Sequence, residues 1–325
     1  MTSNPYYSQE WVDYFIPETI QWRGSEMPDL STAVLRNQIT TPEFPNGTHN
    51  EELLKGVEGI LTYQRMQELI HTPIPGNFDL EHLCRFHEHI FQDIYPFAGK
   101  IRTAPREWPM SKMGPNVRAH LAGAKNPPEI PHSYFAAKDV ERVGTKVLNR
   151  IGEKNNLRGL GRDRFVDELA TALGQINHVH PFREGNTRTQ FAFFRQLSLE
   201  AGYQFDTERF KGVAAERLRA TPLVGDLREQ FVWGRFEFMQ TEETTLLRDV
   251  LDRAITVAPG ARENDGFDVG PIVEFGVVRE GLSAATPGHP RSVGSLLGRG
   301  SDSDHGRVET TAAGVTYDRD SGYET

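Results

Sequence analysis

The sequence predicts an all-α fold followed by a disordered tail, on three observations. Apolar residues recur at helical spacing in several separate stretches, capping signals precede most of them, and past residue 252 both features fade. Residues 1–47 are rich in Pro, Asn, Thr and aromatics without a period. An irregular arm is expected there, with a short helix around Glu10–Ile16. Thr48-His-Asn-Glu51 has the capping-box pattern and opens a helix through Leu53, Leu54, Val57, Ile60, Leu61, Met66 and Leu69, which Gly76-Asn77 breaks. Asp79 caps a second helix, Leu80 to about Asp93, with Leu83, Phe86, His87 and Ile90 on one face.

Helical spacing resumes from Tyr134 to about Ile151 through Phe135, Val140, Val143, Val147 and Leu148. Asp163 then caps a helix bearing Phe165, Val166, Leu169, Leu173 and Ile176, which delivers the chain to His180. Further helices are expected at Thr189–Ala201, at Glu208–Ala220 and from Leu227 toward Leu251, so that residues 48–252 make one helical domain. In the tail, 253–325, the character changes: from Val257 onward the chain holds 12 of the 30 glycines, and 6 Lys/Arg stand against 11 Asp/Glu. A segment with that much charge and that little apolar surface cannot offset the entropy of ordering, so an acidic disordered tail is expected, with a short strand pair around Ile272–Val278.

The net charge of −9 gives little support to nucleic acid as a partner, although a local basic pocket could still hold a nucleotide. Cys84 is the only cysteine, which rules out an intramolecular disulfide and suits a reducing cytosol. The N-terminus carries neither a basic leader nor an apolar run, and nowhere do 18 apolar residues follow one another. A soluble, cytoplasmic protein without a membrane partner is the expectation, with secretion as an effector left open.

The chemistry concentrates in Ile176-Asn-His-Val-His-Pro-Phe-Arg-Glu-Gly-Asn-Thr-Arg-Thr-Gln-Phe191. Pro181 disfavours helix at His180, Gly185 frees the backbone to turn, and Phe191, Phe194 and Leu197 return to helical spacing. Gly185, Asn186 and Thr187 therefore fall at a helix N-terminus, where unpaired N–H groups favour anions. Beside them stand His180, whose imidazole is suited to taking a hydroxyl proton, Glu184, able to hold Mg²⁺, and Arg188, able to neutralise developing charge. Together these read as a phosphate site with a base beside it. His82, His87 and His89, or His178 with His180, could be metal ligands, but no cysteine or acidic ligand set completes them.

The stretch His180-Pro-Phe-Arg-Glu-Gly-Asn-Thr-Arg-Thr-Gln-Phe191 closely resembles the Fic family signature HPFxxGNGRxxR, departing at Thr187 and at Phe191. Ile90-Phe-Gln-Asp-Ile-Tyr-Pro-Phe-Ala-Gly-Lys-Ile-Arg102 is similar to the family's "F.DIYPWAG.IR". The resemblance implies a Fic-type helical domain with a small β-hairpin flap within Ile101–Arg118, where Ser111 and Lys112 help dock a target. It implies a protein adenylyltransferase, moving AMP from ATP to a Ser, Thr or Tyr hydroxyl of a target protein, possible roles being a bacterial toxin or effector.

By the same resemblance His180 is the general base, Glu184 binds Mg²⁺, and Gly185, Asn186, Thr187 and Arg188 form the nucleotide site, with the Asn186 side chain on the α-phosphate. Arg183 flanks the site in an exposed position. Phe191 replaces the arginine that grips the γ-phosphate, and Arg195, one turn on, is expected to stand in for it. Because of the two departures, a Fic-fold transferase with another donor or another phosphorus group, and a silent Fic-like interaction protein, remain alternatives. The family's inhibitory pattern [ST]xxxE[GN] has its nearest approach in Thr48-His-Asn-Glu-Glu52-Leu53, which lacks the final residue. Inhibition then comes from a separate small antitoxin-like partner, or has been lost with the arginine.

Overall fold

The computed structural model describes residues 8–23, 27–210, 216–219 and 221–260. Ser8 caps α1 (Gln9–Val12), and the arm continues into an antiparallel pair, β1 (Gln21–Arg23) with β2 (Met27–Asp29). The arm is irregular, as its composition predicts, but it is packed: Trp11, Phe15, Ile16, Val34, Leu35 and Ile39 are buried in the common core. Each such burial contributes ~1.5–3 kcal/mol toward holding the arm on the body.

The next helix, α2 (Glu51–His71), is capped by Asn50 rather than by Thr48. The Asn50 side chain accepts from Leu53 N at 3.0 Å, while the Thr48 hydroxyl accepts from Asn50 N. An Asx oxygen immediately before the first turn reaches the third helical donor, and Thr48, two residues farther back, does not. In α3 (Leu80–Phe91) the cap is Asp79, as predicted, and its carboxylate accepts from His82 N at 2.8 Å.

The hairpin is larger than the expected flap. In it β3 (Pro109–Pro115) pairs antiparallel with a later strand, with α4 (Val117–Leu121) between the two; the partner is β4 (Glu129–Ala136). Tyr134 and Phe135, assigned above to a helix, lie in β4, and α5 (Ala137–Glu153) begins only after them. His132, Tyr134 and Ala136 are buried in alternation, which is the two-residue period of a strand.

Gly161, not Asp163, occupies the N-cap of α6 (Arg162–Val179). Asp163 lies in the first turn, where its charge still suits the positive end of the helix. After α7 (Asn186–Glu200), β5 (Tyr203–Phe205) is followed by a 3-10 turn at Thr207–Phe210, and β6 (Glu216–Arg217) pairs with β7 (Val224–Gly225). The described residues of 208–220 therefore form no α-helix. Their backbone is satisfied sideways, as where Gln230 Nε2 donates to Glu216 O at 2.7 Å and to Gly225 O at 2.5 Å.

The one long helix expected from Leu227 is two helices, α8 (Leu227–Thr241) and α9 (Thr245–Ala254). Glu242 turns the chain with φ 62°, and the Glu237 carboxylate accepts from Leu246 N at 2.7 Å, fixing α9 back against α8. The last described strand, β8 (Ile255–Val257), pairs with β5. The strand pair expected at 272–278, and the tail from residue 261 on, lie outside the described residues.

The result is a mostly helical body with small antiparallel sheets, centred on α6, which lies against α5, α7, α8 and α9. Phe165, Val166, Leu169, Leu173 and Ile176 of α6 are all fully buried. Among the described residues no helix is long and apolar enough to cross a membrane.

Candidate active site

Pro181 ends α6, and His180 closes the helix in the left-handed region with φ 50° and ψ 65°. That conformation costs a non-glycine residue ~1–2 kcal/mol, so something must hold it. Arg102 does. Its Nε donates to His180 O at 2.7 Å, its backbone N to Pro181 O at 2.9 Å, and its terminal NH₂ to Phe135 O of β4. The sequence places Arg102 at the end of a family-like segment, but only the tertiary structure shows that its guanidinium ties the histidine turn to the hairpin. The Tyr134 ring stacks on the His180 imidazole with centroids 4.0 Å apart. Ser111 and Lys112 stand on β3, opposite Ser133 and His132, so the hairpin carries both beside the strand that covers His180.

The loop beyond is locked from inside. The Asn186 side chain accepts from Phe182 N at 3.0 Å and donates to Phe182 O at 2.8 Å. Its amide is thus engaged in closing the loop, with one N–H and the oxygen both on the Phe182 backbone. Phe182, buried as expected, stacks on His87 at 4.0 Å. Nδ1 of His87 accepts from Gly99 N at 2.8 Å, which leaves the proton on Nε2 to be donated to Glu184 O at 3.0 Å. Burial pushes the His87 pKa down to about 3, so this bond has a fixed polarity near neutral pH. His82 is likewise held by backbone, between Phe78 N and Ile74 O.

Gly185 carries φ +78° at the N-cap of α7, and a Cβ there would stand 2.1 Å from the Phe91 ring. Only glycine satisfies both conditions. The turn leaves the first N–H groups of α7 at the loop, with the Glu184 carboxylate beside them accepting from Gly185 N at 3.0 Å.

The arginines are distributed differently from the sequence expectation. Arg183, expected to be exposed, is buried with its guanidinium 4.4 Å from the Trp11 ring centroid and 5.3 Å from that of Phe15. The arm covers it. Arg188, expected to face a phosphate, is directed inward: it pairs with Glu58 of α2, donates to the Thr62 hydroxyl at 3.2 Å, and lies 3.8 Å from Glu184. Tyr95 OH donates to the other Glu58 oxygen at 2.5 Å.

Glu58 is the site residue that sequence reading missed. A signal was present, because Glu58 and Thr62 fall in phase with Leu54 on the buried stripe of α2, and Glu58-Gly59 completes the inhibitory pattern except for Leu54 in place of Ser or Thr.

Thr187 accepts from Arg235 of α8 at 3.0 Å, a contact nothing in the sequence announces. Phe191 packs into an aromatic cluster with Phe205, Phe210 and Phe231. Arg195, expected to replace an arginine at position 191, does not come to the loop: nine residues into α7 it lies ~13 Å along the axis from the helix start, half-buried in the field of Glu208 and Asp206. The i, i+4 spacing carries it away from the N-terminus rather than toward it. The structure therefore brings together His180, Glu184, Gly185, Asn186, Thr187 and the hairpin, and leaves Arg195 apart.

A sequence model described as the Fic/DOC family matches residues 77–198. The chain is 31% identical over 191 residues to "Protein adenylyltransferase VbhT" of Bartonella schoenbuchensis, covering 58% of this chain and 34% of that protein. It is 31% identical over 183 residues to "Probable protein adenylyltransferase Fic" of Salmonella typhimurium, covering 56% of this chain and 75% of that one. In fold it is similar to the BepC effector of Bartonella tribocorum, solved with bound AMPPNP, with a TM-score of 0.52 and 17% identity over 76% of this chain and 97% of that one. The chain spans about a third of the length of the VbhT relative.

Proposed function

The chain belongs to the Fic/DOC family, and from that premise we propose that it is a protein adenylyltransferase, moving AMP from ATP to a Ser, Thr or Tyr hydroxyl of a target protein. The observation that carries the reading is the loop bounded by two left-handed residues, His180 and Gly185, with an imidazole at one end and the open N-terminus of α7 at the other. A base and an anion site six residues apart suit attack of a hydroxyl on phosphorus. The names of the VbhT and Salmonella relatives and the AMPPNP bound to BepC support ATP as the donor.

In this reading His180 takes the proton of the target hydroxyl as its oxygen bonds to the α-phosphorus, and the bond to pyrophosphate breaks. The N–H groups of Asn186, Thr187 and Arg188 in the first turn of α7 hold the phosphates, and Gly185 lets the backbone approach them. The Asn186 side chain and Arg188 act from within, one shaping the loop and the other holding the Glu184 carboxylate in place. Glu184 fits Mg²⁺, which is commonly held by one or two carboxylates together with substrate phosphates. When bound, the ion neutralises phosphate charge. Ser111 and Lys112 on β3 align the target, and positioning carries most of the rate.

An antitoxin-like partner, if one supplies an inhibitory glutamate, has no cation to meet at Phe191. It must pair with another arginine of the site. A cytoplasmic place of action completes the proposal.

The test is labelling of a cell lysate with ATP carrying the label at the α- or the γ-phosphate, for wild type and His180→Ala. Protein-bound α-label that disappears in His180→Ala is the expected result. Label from the γ-position alone, or α-label that persists without His180, overturns the proposal.

A further inference from the structure

Arg235, on the inward face of α8, is only 5% exposed, yet among the described residues no carboxylate pairs with it. Its Nη1 donates to two neutral oxygens, Thr187 Oγ1 at 3.0 Å and Asn177 Oδ1 at 3.4 Å. Its Nε is buried without a hydrogen-bond partner, and its guanidinium carbon rests 5.1 Å from the Phe231 ring centroid. A guanidinium stays charged at any ordinary pH, and taking it out of water without a counter-charge is costly. Arg188, the residue after Thr187 on α7, shows the compensated arrangement, with Glu58 and Glu184 around it.

Arg235 is directed at the first turn of α7. Thr187 is the second residue of α7, a 15-residue helix whose first N–H groups already present partial positive charge. A buried cation directed at the positive end of a helix is doubly unfavourable until an anion arrives. The two residues at which the loop departs from the family signature both lead to this arginine. Thr187 supplies the hydroxyl that Arg235 holds, and Phe191 packs at 5.1 Å on Phe231, the ring on which Arg235 rests.

We propose that Arg235 is a phosphate-binding, specificity-determining residue. With the first turn of α7 it holds the phosphate chain of a nucleoside triphosphate, entering from α8 because the α7 position that could carry a cation is filled by an aromatic cluster. The identity of the anion as ATP rests on the transfer reading above. A buried guanidinium without a counter-charge favours an anion whatever the reaction.

Binding of ATP, AMP and inorganic pyrophosphate to the full chain, measured by calorimetry for wild type, Arg235→Gln and Arg235→Lys with melting curves of each, tests the proposal. Expected are wild-type binding of ATP at least tenfold tighter than AMP and a loss of at least tenfold for ATP and pyrophosphate in Arg235→Gln. AMP binding stays within about twofold, and Arg235→Lys falls between. Free Arg235→Gln melts no lower than wild type, since an uncompensated charge has gone. ATP binding unchanged in Arg235→Gln overturns the proposal and leaves adenylyl transfer standing. Equal loss of ATP and AMP in both variants, with lower melting temperatures, makes Arg235 a packing residue and also overturns it. Wild type that binds neither ATP nor pyrophosphate does the same. Arg235-dependent pyrophosphate binding in a chain that transfers no α-label keeps the anion site and removes the transfer reading.

Discussion

The Arg183 guanidinium lies 4.4 Å from the ring centroid of Trp11, so an irregular arm near the N-terminus covers the loop that holds the candidate base. Tyr14 and Phe15 complete the aromatic surround. The contact joins two parts of the chain more than 170 residues apart in sequence, and it gives the arm a mechanical role.

Trp11→Ala is therefore expected to cost ~3–5 kcal/mol of unfolding free energy, as for other fully buried aromatics, and Arg183→Met ~0.5–2 kcal/mol for the lost cation–π contact. Urea denaturation of both single variants and the double variant reads the coupling. Losses that add to within ~0.3–0.5 kcal/mol would mean that ring and guanidinium do not act together.

Gly185→Ala meets two obstacles at once, the positive φ and the Phe91 ring. The backbone alone costs ~1–2 kcal/mol, and the overlap with the ring brings the expected destabilisation to ~2–4 kcal/mol. Trimming Phe91 in the double variant Gly185→Ala/Phe91→Leu should return part of this. A melting temperature for Gly185→Ala equal to that of wild type would show that the loop has another conformation available.

Two buried groups give the stability a pH dependence of opposite signs. Burial holds the His87 pKa at about 3 against an ordinary 6.5, so between those values the unfolded chain binds a proton that the folded chain refuses. Stability contributed by neutral His87 is present above pH 6.5 and is lost on acidification, by ~5 kcal/mol across the window. Burial lifts Glu237 to about 7 against 4.5, so the folded chain keeps a proton that the unfolded chain releases, and stability falls as pH rises through that range. Glu237→Gln, which can still accept from Leu246 N, should flatten the limb from pH 4.5 to 7 and gain ~3 kcal/mol above it. His87→Gln should flatten the acid limb. Denaturation midpoints from pH 3 to 8 check both slopes, and parallel curves for wild type and variants would contradict the assignment.

What the sequence by itself determined is the local part. Pro181 after His180, Gly185 before a returning helical period, and the Asp79 cap each act within a few residues, and the structure has the helix end, the left-handed turn and the cap at those positions. The family resemblance rests on the same short-range features. Tertiary structure decided where the charges went, because a long polar side chain is directed by partners distant in sequence. Arg188 turns inward because Glu58 and Thr62 await it on α2, Arg183 is covered because Trp11 packs on it, and Arg195 remains at the far end of α7. The division between β4 and α5 at Ala136, and the break at Glu242, likewise follow from the pairing with β3 and from the grip of Glu237 on Leu246. Spacing records which residues are apolar; only the packed chain fixes which face meets which neighbour.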